Sequence, residues 1–441
     1  MAIELFEYQK TALNYLRLND GFALFMDQGT GKTFPVLFRL VELARTGRIQ
    51  SALIVAPAAV CASWHDKLAR LEFEQQVTLS KIRLEVVSYD LLWRRKEYVD
   101  EVWDAVVLDE SHYIKTPSTK RTKACLKVCS MAYYRYILTG TPMSNGHAWD
   151  MWSQMAAIDP VSDGHGHIYP KCFGGDSYYK WIQRVAYMNQ YHKPYKCRDL
   201  PAIQETVAGM SFRLTKEEAL DLPDKMPDEI IHVKLSARGA KNYREMARHS
   251  AIEALDTLAG NPLTRSLRLR TICSGYVDTD GGERVEYSCG KTSALRTILE
   301  GTEEKVVVYC NFTHSIERVQ SLCEDMKLPY VTLDGRQQDK GAWLRFQEDP
   351  KVRMFIGQYQ SASAGLDLFA SRTMVFYEPT LSSVLLQQSK DRIHRIGQHR
   401  ACIYYHLLTD HTIEHAIYKA LQSYADFDER FFDQYLREEV R

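Results

Sequence analysis

The chain alternates between short apolar runs and longer segments in which apolar and polar residues are mixed. In its first half the apolar runs are FALFM (22–26), SALIVA (51–56), AVVLD (105–109) and YILT (136–139). Short apolar runs separated by helix-like segments are typical of parallel strands that are buried on both faces of a sheet. The pattern therefore predicts an α/β lobe in the N-terminal half.

A second series of apolar runs follows after a long gap. Its members are KVVVYC (305–310), YVTLD (330–334), RMFIG (353–357), TMVFY (373–377) and CIYYHLL (402–408). Two such series predict the α/β fold class with two lobes. We expect each lobe to be a mostly parallel sheet flanked by helices, with helical insertions between them.

The segment between the two series has weaker periodicity and contains the proline-bearing stretch LDLPDKMPDE. Because proline interrupts regular structure, we place the domain boundary there, near Leu222. The predicted domains are 1–222, with a helical insertion at about 145–222, and 223–441, with a helical and hairpin insertion at about 236–292. Within the latter, CSGYVDTDGGERVEYSC (273–289) predicts a hairpin around DTDGG.

Composition limits the partners and the compartment. The 441 residues carry 56 lysines and arginines against 56 aspartates and glutamates, so any affinity for nucleic acid requires a local basic surface. The start, MAIELFEYQK, has no basic signal region, and the run SALIVAPAAV is too short to cross a bilayer. Ten cysteines without a CxxC pair indicate reduced thiols. We expect a soluble, cytoplasmic monomer with no membrane association.

The segment MDQGTGKTFPVL lies between a predicted strand and a predicted helix, which is the context of a phosphate-binding loop. The predicted nucleotide-binding residues here are Gly29, Thr30, Gly31, Lys32 and Thr33. Backbone N–H groups of such a loop surround phosphates, Lys32 reaches the β and γ oxygens, and the Thr33 hydroxyl can ligate Mg²⁺. Met26 replaces the first glycine of the full pattern. The alternative is a simple glycine turn after a strand, which the flanking elements disfavour.

The segment VVLDESHYIK supplies acidic groups at the end of another predicted strand. Asp109 is placed to hold Mg²⁺, and Glu110 to orient and deprotonate an attacking water. In isolation an exposed acidic strand end would be the simpler interpretation, but Lys32 upstream favours a catalytic pair. His112 is either a hydrogen-bonded polar residue or a sensor of the nucleotide, and both interpretations stay open.

Together with LTGTP (138–142) and DRIHRIGQ (391–398), these motifs resemble the superfamily 2 helicases and, within them, the Swi/Snf-like DNA translocases of the compact bacterial or bacteriophage type. The resemblance covers most of the chain, and HRIGQ is its most specific part. Further matching segments are FEYQKTALNYL, LIVAPAAVCASW, VVSYDLL, FRLTKEEALDLPDK, YCNFTHS and QSASAGLDLFASRTMVFYEP. The family implies two RecA-like lobes, ATP and Mg²⁺ as cofactors, and Gln9 as the residue that reads adenine.

The resemblance also implies a function for Arg392 and Arg395, which are three residues apart and would project from one face of a helix. In the family this helix belongs to the second lobe, and its arginines meet the γ-phosphate bound by the first. Arginine charge at the transferred phosphoryl group stabilises the transition state. The alternative for both residues is surface ion pairing on a solvated helix.

Contacts with the nucleic-acid backbone are likewise implied by the resemblance. The matching positions are Pro57, Thr139, Thr141, Asn311 and Ser361. Gly365 and Asp367 match the part of the family that reports the bound nucleotide to this grip. Duplex DNA is the favoured partner, and branched DNA is possible.

Other features allow a functional and a plain interpretation. The basic stretch KTPSTKRTKACLK (115–127) and the arginines of TRSLRLR either contact DNA or form solvated helix faces. The arginines of TRSLRLR are Arg265, Arg268 and Arg270. Three tryptophans either stack on bases or pack internally: Trp93, Trp103 and Trp343. Irregular spacing disfavours a zinc site made from His165, His167, Cys172, His192 and Cys197.

Three functions follow from these observations. The leading hypothesis is a DNA-stimulated ATPase that translocates along duplex DNA. The second is a branch-migrating or unwinding helicase acting on recombination or replication intermediates, which needs a strand-parting wedge that the sequence does not reveal. The third is a nucleotide-gated protein that remodels or recruits a protein partner, but such a switch needs neither Glu110 nor the arginine pair.

Overall fold

The computed structural model divides the chain into two compact units, Met1–Asp221 and Leu222–Arg441. The structure describes residues 3–143, 147–190, 192–219, 223, 226–336, 341–362, 366–423 and 425–439. Within the described residues, no helix has both the length and the apolar character that a bilayer span requires.

The first unit is built on a six-stranded sheet. The whole unit has ten strands among its described residues, six of them in this sheet: β1 (Gly21–Met26), β2 (Ser51–Ala56), β3 (Arg83–Ser88), β4 (Ala105–Asp109), β5 (Tyr134–Leu138), β6 (Pro160–Ser162), β7 (Ile168–Pro170), β8 (Ala186–Met188), β9 (Pro194–Cys197) and β10 (Ser211–Leu214). The sheet order is β10-β1-β5-β4-β2-β3 and every pair is parallel. β6–β7 and β8–β9 are separate antiparallel hairpins.

Helices connect and cover these strands. They are α1 (Glu7–Leu18), α2 (Thr33–Arg45), α3 (Ala58–Ala69), α4 (Phe73–Leu79), α5 (Tyr89–Arg94), α6 (Lys96–Val99), α7 (Lys120–Met131), α8 (Met151–Ile158), α9 (Tyr178–Val185), α10 (Leu200–Ala208) and α11 (Lys216–Ala219). Strand β4 is buried at every position, as expected for a central strand covered on both faces.

The second unit repeats this plan with a second six-stranded sheet. The whole unit has ten strands among its described residues, six of them in this sheet: β11 (Glu229–Val233), β12 (Ala251–Ile252), β13 (Thr257–Leu258), β14 (Tyr276–Asp278), β15 (Arg284–Glu286), β16 (Val306–Cys310), β17 (Tyr330–Leu333), β18 (Met354–Gln358), β19 (Thr373–Phe376) and β20 (Ile403–Thr409). The sheet order is β11-β20-β19-β16-β18-β17, again all parallel. β14 and β15 form the hairpin predicted around DTDGG.

The helices of the second unit are α12 (Ala237–His249), α13 (Pro262–Cys273), α14 (Gly290–Glu300), α15 (Thr313–Asp325), α16 (Ala342–Glu348), α17 (Tyr359–Ala362), α18 (Ser383–Lys390), α19 (Ile413–Gln422) and α20 (Glu429–Glu439). Two parallel sheets flanked by helices confirm the predicted α/β fold class. The prediction that Arg392 and Arg395 lie on a helix is wrong, because α18 ends at Lys390 and both arginines lie in the turns that follow.

Candidate nucleotide and nucleic-acid sites

The predicted phosphate loop connects β1 to α2 in the first unit. Gly29 and Gly31 have left-handed backbones, with φ of 87° and 73°. A side chain at Gly31 would also place its Cβ 2.5 Å from Gln9 Nε2, so both backbone and space require glycine there. Thr30 is fully buried, and its hydroxyl donates to the Asp27 carbonyl at 2.8 Å. The loop is therefore held in shape by its own chain.

Gln9 supports this loop from α1. Its side chain is 3 % exposed, its Nε2 donates to the Thr30 carbonyl at 3.0 Å, and its Oε1 accepts from the Phe6 amide at 3.0 Å. Because one end of the amide holds the loop and the other holds the start of α1, Gln9 couples the two. Its predicted contact with adenine stays a prediction.

Lys32 and Glu110 lie near each other across the end of the sheet. Lys32 Nζ is 3.9 Å from Glu110 Oε1, and the same carboxylate oxygen accepts a hydrogen bond from Gln28 Nε2 at 3.2 Å. Glu110 has a left-handed backbone with φ of 53°, an unfavourable conformation for a residue with a side chain. Strain of this kind is typical of positions where function fixes the direction of a side chain.

Asp109 precedes Glu110 and is 4 % exposed. Its Oδ2 accepts from Trp64 Nε1 at 2.8 Å, and its carbonyl accepts from the Tyr89 hydroxyl at 2.8 Å. Burial and the neighbouring Glu110 raise the pKa of Asp109, whereas the ammonium groups of Lys32 and Lys67 lower it. Burial next to a second carboxylate thus makes the charged form of Asp109 unfavourable, and a bound cation would stabilise that charged form.

The donor set fits a hard divalent cation. Asp109 offers a carboxylate and Thr33 a hydroxyl, and oxygen ligands of this kind are those that Mg²⁺ prefers. Lys67, on α3, donates to Thr33 Oγ1 at 3.1 Å. Trp64 and Lys67 contact two predicted site residues but were missed in the sequence. Their only signal was their spacing of three residues on one helix, which is too common to identify them.

His112 and Thr139 extend this network to the LTGTP segment. His112 Nδ1 is 3.0 Å from Thr139 Oγ1 and 3.4 Å from Glu110 Oε2. Burial, with smaller contributions from Lys115 and Lys32, lowers the pKa of His112 to about 3, so its imidazole is neutral at pH 7. Thr139 Oγ1 also accepts from the Thr141 amide at 3.1 Å. The structure thus brings these residues together with Glu110.

In the second unit, Arg392 and Arg395 converge on one backbone carbonyl. Arg392 Nη1 and Arg395 Nη1 donate to the Leu366 carbonyl at 3.2 Å and 2.9 Å. Arg392 Nε donates to the Gln388 carbonyl at 2.9 Å, which satisfies one of the last carbonyls of α18. Although the residues are not helical, their side chains still meet.

Arg395 also forms an ion pair with Asp367. Burial lowers the pKa of Arg395 to about 10, and Asp367 opposes this shift, so the guanidinium stays charged at pH 7. Asp367 is therefore placed against an arginine of its own unit. Gly365, predicted beside it, lies outside the described residues.

The predicted nucleic-acid residues lie after the carboxyl ends of strands. Pro57 follows β2 and is buried, and Thr139 and Thr141 follow β5. Asn311 and Ser361 follow the neighbouring strands β16 and β18, and Gln358 Nε2 donates to the Asn311 carbonyl at 3.2 Å. Asn311 Nδ2 donates to the Pro379 carbonyl at 2.7 Å, so its side chain is already held in the absence of nucleic acid.

The two predicted basic clusters make internal contacts. Arg265 donates to the Met246 carbonyl, Arg268 pairs with Asp280, and Arg270 is buried against the Phe312 ring. In the other cluster Lys120 lies over Trp93, Arg121 pairs with Asp90 and Lys127 pairs with Asp100. Trp103 is fully buried and Trp343 packs against the core of the second unit. Trp103 and Trp343 therefore pack internally, and the charged side chains make local ion pairs, hydrogen bonds and ring contacts.

The β8–β9 hairpin is a basic surface that the sequence analysis missed. Residues 186–198 contain Lys193, Lys196 and Arg198 and no acidic residue. Both lysines are exposed, and neither forms an ion pair within the part of the chain that the structure describes. Arg198 lies 4.5 Å from the ring centroid of Tyr187, and Tyr195 is 59 % exposed. Interleaved basic and aromatic side chains are typical of nucleic-acid surfaces.

The residues considered for zinc do not form a cluster of three candidate ligands in the described ranges. His167 instead pairs with Asp163, and Cys197 Sγ donates to the Val185 carbonyl. The other residues considered as zinc ligands are His165, Cys172 and His192. Their irregular spacing had already disfavoured the site.

Comparisons with known families match both halves of the chain. Residues 8–275 match the SNF2-related domain, and residues 290–397 match the helicase conserved C-terminal domain. Curated relatives include an uncharacterized ATP-dependent helicase of Mycoplasma pneumoniae, 24% identical over 93% of this chain and 40% of its own length. The putative ATP-dependent helicase/translocase YwqA of Bacillus subtilis is 24% identical over 94% of this chain and 47% of its own length.

Among solved structures, the SWI2/SNF2 ATPase core of Sulfolobus solfataricus in complex with dsDNA is 22% identical, with a TM-score of 0.44, over 100% of this chain and 94% of that one. The chain spans less than half the length of the two curated relatives, 40% and 47%. The parts of those proteins outside the matched region therefore give no information about this chain.

Proposed function

Because this chain belongs to the SNF2-related domain family, we propose that it is an ATP-dependent translocase that couples ATP hydrolysis to movement along double-stranded DNA. The observation that carries the proposal is the buried cluster around Glu110. A lysine, a glutamine, a threonine and a neutral histidine surround one strained carboxylate beside a glycine loop. This arrangement suits phosphoryl transfer, in which positioning and charge do most of the catalysis.

Each group of the first unit has a distinct chemical role in this proposal. The loop amides and Lys32 bind the β- and γ-phosphates, and Thr33 and Asp109 hold Mg²⁺, which neutralises phosphate charge when bound. Glu110 orients the attacking water and accepts its proton. The hydrogen bond from Gln28 and the nearby Lys32 ammonium keep the Glu110 carboxylate pointed toward the same loop.

Arg392 and Arg395 complete the catalytic set in the proposal. Both donate to the Leu366 carbonyl, so they form a preorganised pair that can neutralise charge on the transferred phosphoryl group. Asp367 pairs with the Arg395 guanidinium. Phosphate and carboxylate therefore compete for the same guanidinium.

DNA binding rests on backbone contacts that carry no sequence information. Hydroxyls and amides at the carboxyl ends of strands suit phosphate oxygens. The lysines of the β8–β9 hairpin add uncommitted positive charge to a chain whose net charge is zero. Such a surface favours binding that is independent of sequence, as translocation requires.

The decisive experiment compares ATP turnover by the purified chain with no nucleic acid, single strands, duplex, a four-way junction and RNA. A triplex-displacement assay on the duplex then detects movement. We expect duplex to give the largest stimulation, with displacement of the third strand and no separation of the duplex. Separated strands and preferential stimulation by junctions would instead establish an unwinding helicase, and turnover indifferent to every polymer would establish the protein-partner switch.

Charge-reversal variants test the hairpin within the same assay. Lys193→Glu combined with Lys196→Glu should weaken duplex affinity at least tenfold at low salt, because two exposed phosphate-binding charges are reversed. Lys81→Glu, at another exposed lysine of the first unit, is the matched control. Equal losses in both variants would show a general charge effect and remove the hairpin from the proposed interface.

A further inference from the structure

Two histidines and one aspartate form a cluster in the second unit that takes no part in the proposed ATPase. His232 lies on β11, Asp410 directly follows β20, and His415 lies on α19. One ligand atom from each lies within 4.8 Å of the others. This is the one such group of three or more candidate metal ligands in the residues that the structure describes.

Both imidazoles point a ring nitrogen at the same carboxylate oxygen. His232 Nδ1 is 2.6 Å from Asp410 Oδ1, and His415 Nε2 is 3.5 Å from it. The two rings are nearly parallel, with centroids 5.5 Å apart and planes 17° apart. His415 Nε2 is buried, and among the described residues it has no hydrogen-bond partner. A buried ring nitrogen without a hydrogen bond is costly unless another ligand satisfies it.

The backbone fixes all three positions. Val233, next to His232, pairs with Thr409, and the Asp410 amide donates to the Val233 carbonyl at 2.8 Å. The Thr409 amide donates to Glu414 Oε2 at 2.8 Å, and Glu414 is buried in an ion pair with Lys291. The strand, the turn and the helix are thus tied together beneath the cluster, so the ligand atoms are held close without a metal.

We propose that His232, Asp410 and His415 bind a divalent transition-metal ion of the zinc class. Imidazole nitrogens favour Zn²⁺, Co²⁺, Ni²⁺ and Cu²⁺, whereas Mg²⁺ and Ca²⁺ favour oxygen ligands. Tetrahedral zinc at about 2.0–2.1 Å from its ligands places ligand atoms about 3.3 Å apart. The separations of 2.6 Å and 3.5 Å from Asp410 Oδ1 bracket that value, and the exposed His232 side chain can adjust. Water completes the coordination.

The bound ion fastens an edge strand to the rest of the unit. β11 is the outermost strand on its side of the sheet and has hydrogen-bonded strand neighbours only in β20. A metal shared by β11 and α19 opposes fraying of that edge. Ligands that bind only the folded state raise the unfolding temperature in proportion to their occupancy. The proposed ATPase does not depend on this site.

Metal titration of the full chain tests the inference. The chelator-treated protein is titrated with Co²⁺, whose visible absorption reports nitrogen coordination, and with Zn²⁺ by calorimetry. We expect one equivalent to bind and the second unit to unfold at a temperature several degrees higher. His232→Ala and His415→Ala should each weaken binding at least tenfold and remove the thermal shift.

His411→Asn is the matched control. His411 is exposed and lies beside Asp410 but outside the cluster, and asparagine tolerates its left-handed φ of 56°. This variant should bind Co²⁺ and Zn²⁺ as the parent does. No binding at millimolar metal, or equal binding by the parent, His232→Ala and His415→Ala, would overturn the proposal. His232 is 58 % exposed, so its loss leaves the fold intact. ATP turnover in Mg²⁺ should be unchanged in His232→Ala, which separates this result from the proposed function.

Discussion

The two units hold their candidate catalytic cations in different ways. In the first, Lys32 Nζ is 3.9 Å from the Glu110 carboxylate, and both side chains are 10% exposed. In the second, Arg395 is in direct contact with Asp367 and shares the Leu366 carbonyl with Arg392. One cation is loosely paired and close to a phosphate loop, whereas the other already contacts a carboxylate and a backbone carbonyl.

This difference has a consequence for catalysis. Lys32 can take up phosphate without giving up a strong contact, so the first unit is suited to binding the nucleotide. In the proposed mechanism, Arg395 exchanges the Asp367 carboxylate for a phosphate before it acts. Because that exchange replaces one charged partner with another, its net free energy is small and easily shifted. We infer that the arginine pair sets the hydrolysis rate while the first unit sets affinity.

Arg395→Ala should have the largest effect. Loss of the guanidinium should lower kcat about 10³- to 10⁵-fold while ATP affinity changes less than about threefold, because the arginine acts in the transition state. Single-turnover hydrolysis and equilibrium nucleotide binding measure the two quantities. Arg400→Ala, which removes an exposed arginine paired with Glu304, is the control and should hydrolyse normally. Lost affinity with normal turnover of bound ATP would reverse the assignment of the two units.

Glu110→Gln should have the next largest effect. Glutamine keeps the size and the hydrogen-bonding oxygen but cannot accept the proton of water, so kcat should fall about 10²- to 10⁴-fold. Nucleotide should accumulate on the protein unhydrolysed, as a filter-binding assay would detect. Glu101→Gln, at an exposed glutamate paired with Arg83, provides the comparison. Turnover within threefold of the parent would mean that another group activates the water.

The sequence predicted the central strands of both sheets but not three of the four edges. β3, β10 and β11 lie at sheet edges, and their burial patterns are mixed. An edge strand buries fewer side chains, so it lacks the continuous apolar run that identifies a central strand. Arg392 and Arg395 were wrongly assigned to a helix because the sequence signal was ambiguous. Their spacing fits a helical face, but it fits consecutive turns equally well.

The candidate site was predictable only where its residues are adjacent in sequence. Lys32, Asp109 and Glu110 could be identified as candidates because each lies at or shortly after the end of a strand, within a recognisable motif. Trp64, which donates to Asp109 from 45 residues away, belongs to no such motif. Partners of this kind are brought together by the sheet, and a single sequence carries no signal for them.

Asp228→Asn tests how firmly the second unit holds its arginine segment. Asp228 pairs with Lys390, two residues before Arg392, at 2.6 Å, and His406 Nε2 lies 3.1 Å away. Burial raises the pKa of Asp228, but His406 and Lys390 outweigh burial and leave this pKa well below its usual range. Loss of the charge should lower the free energy of unfolding by about 1–3 kcal/mol at pH 7.

The pH dependence gives this prediction its sign. A carboxylate with a lowered folded pKa stabilises the protein above its unfolded pKa of about 3.9, and the stabilisation is lost as pH falls through the folded value. The difference between parent and variant should therefore be constant from about pH 5 to 8 and shrink below about pH 4, as measured by calorimetric unfolding. Asp325→Asn, at an aspartate whose side chain is 71% exposed, should show no such difference. A pH-independent difference would indicate lost packing alone.

Lys67→Ala should have the smallest effect. It tests whether the Lys67 ammonium occupies the position that Mg²⁺ takes in the proposed mechanism. Lys67 donates to Thr33 Oγ1 at 3.1 Å, and its charge lowers the pKa of Asp109, so one ammonium serves both predicted Mg²⁺ ligands. In the proposed mechanism Mg²⁺ displaces this ammonium, as phosphate displaces Asp367 from Arg395. Removing the ammonium should lower the half-activating Mg²⁺ concentration about threefold, since one charge that repels the cation is lost. Lys127→Ala, at an exposed lysine paired with Asp100, should leave it unchanged. A raised Mg²⁺ requirement would instead make Lys67 a ligand of the nucleotide, and the two units would then differ more than we infer.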